Sequence, residues 1–292
     1  MLIRVVLPSI LAGVLLLPAS LAQKSIIVTV LDPSGAAVKE VTPADLAVRE
    51  DAATREVVSV TRATEPMTIA LLIDNTKPTM GKDAPTREMR AGLTAFVNAV
   101  HEASPESQIG LWEFAGAGVM TQKPTPKVED VLKKINRLFP SQQSGGVLLE
   151  ALVDASKEVS KKTGPRRIVV ALSLNSPEVS TIDPREVAIA MRKAGVNFWA
   201  VSIHANADAS TSSQGGSPAR ELILTNVTAA SGGMRLTGIA PTALDAQMKS
   251  IADALTTQYI VSYVRPDDAP APTDIRGTSK RGLTVLTTPW VQ

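Results

Sequence analysis

Three predominantly apolar runs constrain the fold of this 292-residue chain more than any other feature. They lie at Met67–Ile73, 168–172 and Val196–Ile203. Between them, apolar residues recur at helical spacing, for example at Met89 and Leu93. A strand without a polar face must be covered on both sides, which is typical of a parallel sheet between two helical layers. The alternation therefore predicts an α/β fold with a doubly wound, mostly parallel sheet and helices on both faces.

One of the intervening helices carries start and stop signals in its sequence. Asp183 is a suitable N-cap, Pro184 suits the first helical position, and Glu186 would complete a capping box. Gly195 then predicts the end of the helix, because glycine is favoured just after a helix C-terminus.

The first 22 residues have the pattern of a signal peptide rather than of a folded element. Arg4 supplies a positive start, a short apolar run follows, and small residues at positions 20 and 22 suit cleavage before Gln23. We expect export to the periplasm, the cell surface or the medium, with a retained membrane anchor as the alternative. No later run approaches the length of a membrane span. The rest of the chain is predicted to comprise a small β-rich lead-in at 23–65, the α/β domain at 66–265, and a proline-rich linker with a C-terminal edge strand at 266–292.

Charge and composition exclude several classes of function. Lysine and arginine number 30 against 28 acidic residues, without a basic stripe, and aromatic residues make up only 3%. Nucleic-acid binding requires concentrated positive charge or aromatic stacking platforms, so we expect no nucleic-acid partner. The chain has no cysteine, which excludes disulfides, a thiol nucleophile and thiolate metal ligands.

Several segments, taken in order, resemble one known family. They are the lead-in stretch 41–51, the strand that ends at Asp74, the pair Gly232-Gly233, and the Tyr-x-x-x-Tyr strand 259–263. This order is similar to the von Willebrand factor A (VWFA, or VWA) family, and more closely to exported bacterial VWFA-related proteins of the acidobacterial type. The resemblance covers nearly all of the chain after the signal peptide. It implies a VWA-like, Rossmann-like fold.

The resemblance also implies a position for a metal-ion-dependent adhesion site (MIDAS). Metal-binding members hold Mg²⁺ with an Asp-x-Ser-x-Ser motif, a threonine on a second loop and an aspartate after a later strand. Here Asp74 matches and Thr76 retains a hydroxyl, but the other three positions lack a side-chain oxygen. They are occupied by Pro78, Val147 and Leu174. Mg²⁺ gives up its hydration water reluctantly, so two surviving ligands predict a degenerate site and no metal cofactor.

Two interpretations of Asp74 and Thr76 remain open. In the first, both are structural, because such residues accept backbone hydrogen bonds at strand ends and can cap the next helix. In the second, they contact a partner, since loops at the carboxyl edge of such a sheet usually form its binding face. We expect these loops to present an exposed polar surface that binds a protein partner. Its predicted residues are Asp74, Thr76, Lys77, Asn175, Ser176 and His204.

The leading functional hypothesis is a non-enzymatic protein-interaction module that binds its partner without a metal. The alternative is a Mg²⁺-dependent adhesion domain that recruits other oxygens, such as those of Ser144, Ser173 or Asn175. A hydrolytic enzyme ranks third. The sequence has no Gly-x-Ser-x-Gly elbow, phosphate-binding loop or zinc pattern, and no catalytic residue is predicted.

Overall fold

The computed structural model describes most of the chain after the predicted signal peptide. The described ranges are 21–77, 85–174, 176–203, 217–238 and 240–288. Several features predicted from the sequence lie outside the described residues. These are residues 1–20 of the signal peptide, Pro78, Asn175 and His204.

The described residues form thirteen strands and seven α-helices. The strands are β1 (Leu21–Leu31), β2 (Leu46–Glu50), β3 (Ala53–Arg55), β4 (Val57–Arg62), β5 (Met67–Ile73), β6 (Gln108–Glu113), β7 (Val119–Thr125), β8 (Arg166–Leu174), β9 (Val196–Ile203), β10 (Arg235–Gly238), β11 (Tyr259–Pro266), β12 (Ile275–Ser279) and β13 (Thr284–Thr288). The helices are α1 (Thr86–Ala103), α2 (Val128–Asn136), α3 (Leu148–Ser160), α4 (Pro184–Ala194), α5 (Pro218–Leu222), α6 (Thr228–Ala230) and α7 (Leu244–Thr256). A π-helical turn, Ile223–Val227, joins α5 to α6.

The central sheet has six strands in the order β10-β9-β8-β5-β6-β7. Every pair is parallel except β6 with the edge strand β7. The three apolar runs of the sequence form β5, β8 and β9, and these are adjacent strands within the sheet. The predicted α/β fold class is therefore confirmed.

Helices cover both faces of this sheet, which explains why β5, β8 and β9 lack a polar face. Along β5, Ile69 and Leu71 pack into a core with α1, α2 and α7. The alternate residues Ala70 and Leu72 pack into a second core with α3 and α4. Within the described residues, no helix combines the length and apolar character that a membrane span requires.

The predicted limits of α4 are confirmed at both ends. The helix begins at Pro184 and is followed by Gly195, which adopts the left-handed conformation with φ of 66°. Asp183 is the N-cap, and its side chain accepts a hydrogen bond from the backbone N–H of Arg185 at 2.7 Å. The cap therefore bonds to the second helical residue and not, as a capping box requires, to Glu186 at the third.

A second, smaller β structure combines both ends of the chain. One sheet has the strand order β13-β1-β11-β4, the other has the order β12-β2-β3, and apolar side chains such as Val28 and Val48 pack together in a common core. The sequence placed β11 in the α/β domain, whereas the structure pairs it antiparallel with β1 and β4. An apolar strand pattern does not specify which neighbour completes its hydrogen bonds. Strand β1 starts at Leu21, two residues before the predicted cleavage point.

Buried Arg166 fastens the central sheet to this second β structure. Its guanidinium donates hydrogen bonds to the carbonyl oxygens of Ala63, Glu65 and Leu255, and to Oε1 of Gln258. Ala63, Glu65 and Gln258 lie on the segments that connect the two parts of the chain, and Leu255 lies in the last turn of α7, just before one of these segments. Burial lowers the pKa of Arg166 to about 10, a cost that the four acceptors offset.

Candidate functional site

Asp74 lies where the sequence places it, directly after β5 at the carboxyl edge of the central sheet. Its backbone N–H continues the strand pairing by donating to the carbonyl oxygen of Leu172 at 2.9 Å. Because β5 and β8 are parallel neighbours, the residues that follow them meet at the same edge. This geometry brings Asp74 next to the segment that follows β8.

The Asp74 carboxylate is fully buried and accepts four hydrogen bonds from the protein. Oδ1 accepts from the backbone N–H and the hydroxyl of Thr76, at 3.2 and 2.7 Å. Oδ2 accepts from the backbone N–H of Leu174 at 3.0 Å and from the hydroxyl of Ser176 at 2.8 Å. The interpretation that Asp74 accepts backbone hydrogen bonds at the strand end is thus confirmed. Asp74 does not cap the next helix, since α1 has Pro85 at its N-cap.

Arg220, in α5, places a guanidinium group against this carboxylate. Its side chain is only 2% exposed, and Nη1 lies 3.8 Å from Oδ2 of Asp74. Nη1 also donates to the carbonyl oxygen of Ser176 at 2.7 Å, to its hydroxyl at 3.1 Å and to the carbonyl oxygen of Leu174 at 3.2 Å. A buried cation is tolerated when it is paired and hydrogen bonded in this way.

Glu178 is the second anionic partner of Arg220. Its Oε2 accepts from Nε of Arg220 at 2.7 Å, and its side chain is 2% exposed. Its Oε1 accepts from the backbone N–H of Leu148, the first residue of α3, at 3.1 Å. Oε1 also accepts from the hydroxyl of Ser180. Glu178 therefore ties Arg220 to the positive end of the α3 dipole.

The sequence did not identify Arg220 or Glu178 as site residues. One signal was available for Arg220, which precedes Ile223 and Leu224 by three and four residues and so shares their helical face. Both of those residues are buried, so a charged side chain on that face requires a buried partner. No comparable pattern marks Glu178, whose pairing depends on the tertiary fold.

The expectation of an exposed polar surface is wrong for three of the predicted site residues. Asp74 is 0% exposed, Thr76 is 2% exposed and Ser176 is 6% exposed. They are buried because Asp74 binds both hydroxyls and because Arg220 covers Asp74 and Ser176 from the side of α5. Lys77 is exposed as predicted. Asn175 and His204 lie outside the described residues.

A divalent cation, which the family resemblance implies for this position, does not fit the residues present. Oδ2 of Asp74 and the hydroxyl of Ser176 already face the Arg220 guanidinium, whose positive charge would repel a second cation. Val147 and Leu174 offer only apolar side chains where oxygen ligands would be needed. The described residues contain no cluster of three or more His, Asp, Glu or Cys side chains suited to a metal.

A short, mostly exposed segment at residues 139–143 borders the buried site. The backbone N–H of Ser141 donates to the carbonyl oxygen of Asn75, and the N–H of Lys77 donates to that of Gln143, both at 2.7 Å. Asn75 also donates through Nδ2 to Oε2 of Glu113 at 2.5 Å. Burial raises the pKa of Glu113, an effect that its hydrogen bonds and the positive charge of Lys134 only partly oppose. The segment is thereby fixed to the ends of β5 and β6.

Comparison with known proteins gives similarity in fold only. No family model matches the chain, and no curated protein matches it. Proximal thread matrix protein 1 from the mussel byssus, solved with a zinc-occupied MIDAS motif, is 16% identical with a TM-score of 0.54. The match covers 70% of this chain and 50% of that one, so this chain spans half the length of the mussel protein.

Two weaker matches bear the names of bacterial proteins. The first is a von Willebrand factor type A structure from Catenulispora acidiphila, 10% identical with a TM-score of 0.48 over 94% of this chain and 74% of that one. The second is BatB from Bacteroides thetaiotaomicron, 13% identical with a TM-score of 0.48 over 64% and 98%. At such identities, and with TM-scores below 0.5, these two matches support no conclusion about the function of this chain.

Proposed function

We propose that the chain is an exported, non-enzymatic protein-interaction module that binds a protein partner without a metal. The observation that carries the proposal is the buried guanidinium of Arg220 between Asp74 and Glu178. A fixed positive charge from the protein itself stands where a metal-dependent domain would hold its ion. A partner would then contact the exposed residues around this edge, including Lys77, rather than a shared ion.

The burial of the side chains at the site supports a role in binding rather than in catalysis. Asp74, Thr76 and Ser176 are buried, and the hydroxyls of Thr76 and Ser176 both donate hydrogen bonds to the Asp74 carboxylate. A general base or nucleophile must reach its substrate, and these three side chains are enclosed. Export rests on the N-terminal sequence, in which Arg4 and a short apolar run precede small residues at positions 20 and 22.

Affinity capture from the envelope fraction of the producing cells tests this proposal. The full chain is immobilised and captures proteins in parallel with EDTA and with Mg²⁺. We expect the same partner in both buffers, reduced capture by Lys77→Glu, and unchanged capture by Lys249→Glu on the exposed face of α7. Capture that requires Mg²⁺ would establish the metal-dependent alternative. A reproducible turnover activity would overturn the non-enzymatic role.

A further inference from the structure

Phe139 is an exposed aromatic residue next to the buried site. Its side chain is 66% exposed, and it follows α2 in the segment that borders the ends of β5 and β6. Phe139 and Pro140 line a small recess together with Asn75 and Thr76. Covering an exposed phenylalanine removes apolar surface from water, so such a side chain is a candidate anchor for a partner.

The segment that carries Phe139 is fixed by contacts with α1 and with the residues that follow β5. Arg90, from α1, lies over the Phe139 ring at 4.9 Å from its centroid and donates through Nε to the carbonyl oxygen of Leu138 at 3.1 Å. Ser141 and Gln143 are bonded to the backbone of the segment after β5. Because its conformation is already fixed, the aromatic side chain would lose little conformational entropy when a partner covers it.

Arg90 lies over the ring, Arg137 precedes Phe139 by two residues, and Lys77 is joined to the same segment by the hydrogen bond from its backbone N–H to the carbonyl oxygen of Gln143. Lys77 and Arg137 are exposed, and Arg90 is partly exposed. We call these three residues and Phe139 the Phe139 patch. Among the described residues, no carboxylate forms an ion pair with Lys77, Arg90 or Arg137.

The acidic side chains on the same elements do not cancel this charge. Glu88, in α1, pairs with Arg87, and Glu113 accepts the hydrogen bond from Asn75. Glu129 and Asp130 lie in the first turn of α2, at the far end of that helix from Arg137. The patch therefore combines one fixed aromatic side chain with three cationic groups that have no carboxylate partner in the described structure.

We propose that the Phe139 patch docks an acidic segment of the partner that carries an apolar side chain. Complementary charge would direct the segment to Lys77, Arg90 and Arg137, and the apolar side chain would cover Phe139. This inference rests on the proposed function, because it names the chemistry of the partner that the module binds. The segment is protein, and it requires no metal.

Selection of displayed random peptides on the immobilised full chain, in EDTA, tests the inference. We expect enrichment of peptides that combine several Asp or Glu residues with an aromatic or aliphatic residue. A synthetic copy should bind about tenfold more weakly to Phe139→Ser, a loss typical of an interface anchor. It should also bind more weakly to Lys77→Glu, and more weakly when the ionic strength rises from about 0.05 M to about 0.5 M.

Two control variants keep the test specific. Ile189, on α4, is 66% exposed like Phe139, so Ile189→Ser removes an equally exposed apolar side chain elsewhere. Lys249→Glu makes the same charge change on α7. Both should bind the peptide as the wild type does. Since Phe139 is mostly exposed, its replacement by serine leaves the packed cores intact.

Three results would overturn the inference, and each can be told apart from failure of the proposed function. The first is a selection that enriches no acidic peptides, and the second is binding that Phe139→Ser leaves unchanged. In either case, metal-independent capture of a protein partner would leave the proposed function standing. The third is dimerisation of the full chain, seen by sedimentation and abolished by Phe139→Ser, which would assign the patch to a second copy of this chain.

Discussion

The Nε atom of Arg220 lies 2.7 Å from Oε2 of Glu178, and each of the two side chains is only 2% exposed. The same guanidinium faces Asp74, the aspartate directly after β5. Two carboxylates thus share one internal cation at the edge of the sheet where a VWA-like domain would hold its metal. A buried pair of this kind costs desolvation free energy when it forms, and it costs much more when one member is removed.

Replacing Arg220 should therefore destabilise the fold strongly. Arg220→Met leaves two buried carboxylates without their cation, and we expect the free energy of unfolding to fall by about 3–5 kcal/mol. Urea denaturation measures this loss. The exposed pair of Arg276 with Asp274 provides the control, because Arg276→Ala should cost about 1 kcal/mol or less. Equal losses of the free energy of unfolding in the two variants would show that the buried pairing contributes no more than an exposed ion pair.

The effects of Arg220 and Glu178 on stability should be coupled. Glu178→Gln alone removes the anionic partner of Nε, whereas in the Arg220→Met background the same change removes an uncompensated buried charge. We expect the double variant to be more stable than the sum of the two single losses predicts, by about 1–3 kcal/mol. A double-mutant cycle from urea denaturation gives the coupling directly. Simple additivity would mean that the pair does not interact energetically.

The hydrogen bonds of Arg166 should be the main polar interactions that hold the central sheet against the second β structure. Arg166→Met leaves four acceptors without their donor, and each buried group left unpaired costs about 1–3 kcal/mol. We expect a loss of about 3 kcal/mol or more in the free energy of unfolding. Arg167→Met, which removes a hydrogen bond to the carbonyl oxygen of Ala194, should cost about 1 kcal/mol. Similar losses for both would contradict the fastening role.

The ionisation of Glu113 should lower the free energy of unfolding as the pH rises. Burial raises the pKa of Glu113 in the folded protein, so the folded state binds the proton more tightly than the unfolded state does. Stability then falls as the pH rises from the unfolded pKa through the raised folded pKa. Glu113→Gln keeps an acceptor for Asn75 but does not ionise. The Tm of the variant minus that of the wild type should increase between about pH 4 and about pH 7. A difference that stays constant with pH would contradict this assignment.

The sequence predicted the central sheet because strands covered on both faces leave a distinctive pattern, as in β5, β8 and β9. It did not predict the sheet to which β11 belongs, since an apolar strand pattern is the same whichever neighbour it pairs with. At the site, Asp74 was identified because it matches the first position of the Asp-x-Ser-x-Ser motif of the family that the sequence resembles. Arg220 and Glu178 are 42 residues apart, and only the tertiary fold brings them together. The sequence also predicted Asp74, Thr76 and Ser176 to be exposed, whereas all three side chains face inward.

Titration calorimetry of the full chain with Mg²⁺ and with Mn²⁺ tests the central claim most directly. If Arg220 supplies the positive charge of the site, neither ion should release saturable heat, and the Tm should be the same with EDTA as with either ion. The conservative variant Asp74→Asn serves as the control, because it removes the one carboxylate that matches the metal-site motif of the family that the sequence resembles. Saturable heat in the wild type that Asp74→Asn abolishes would contradict the claim that the site functions without a metal.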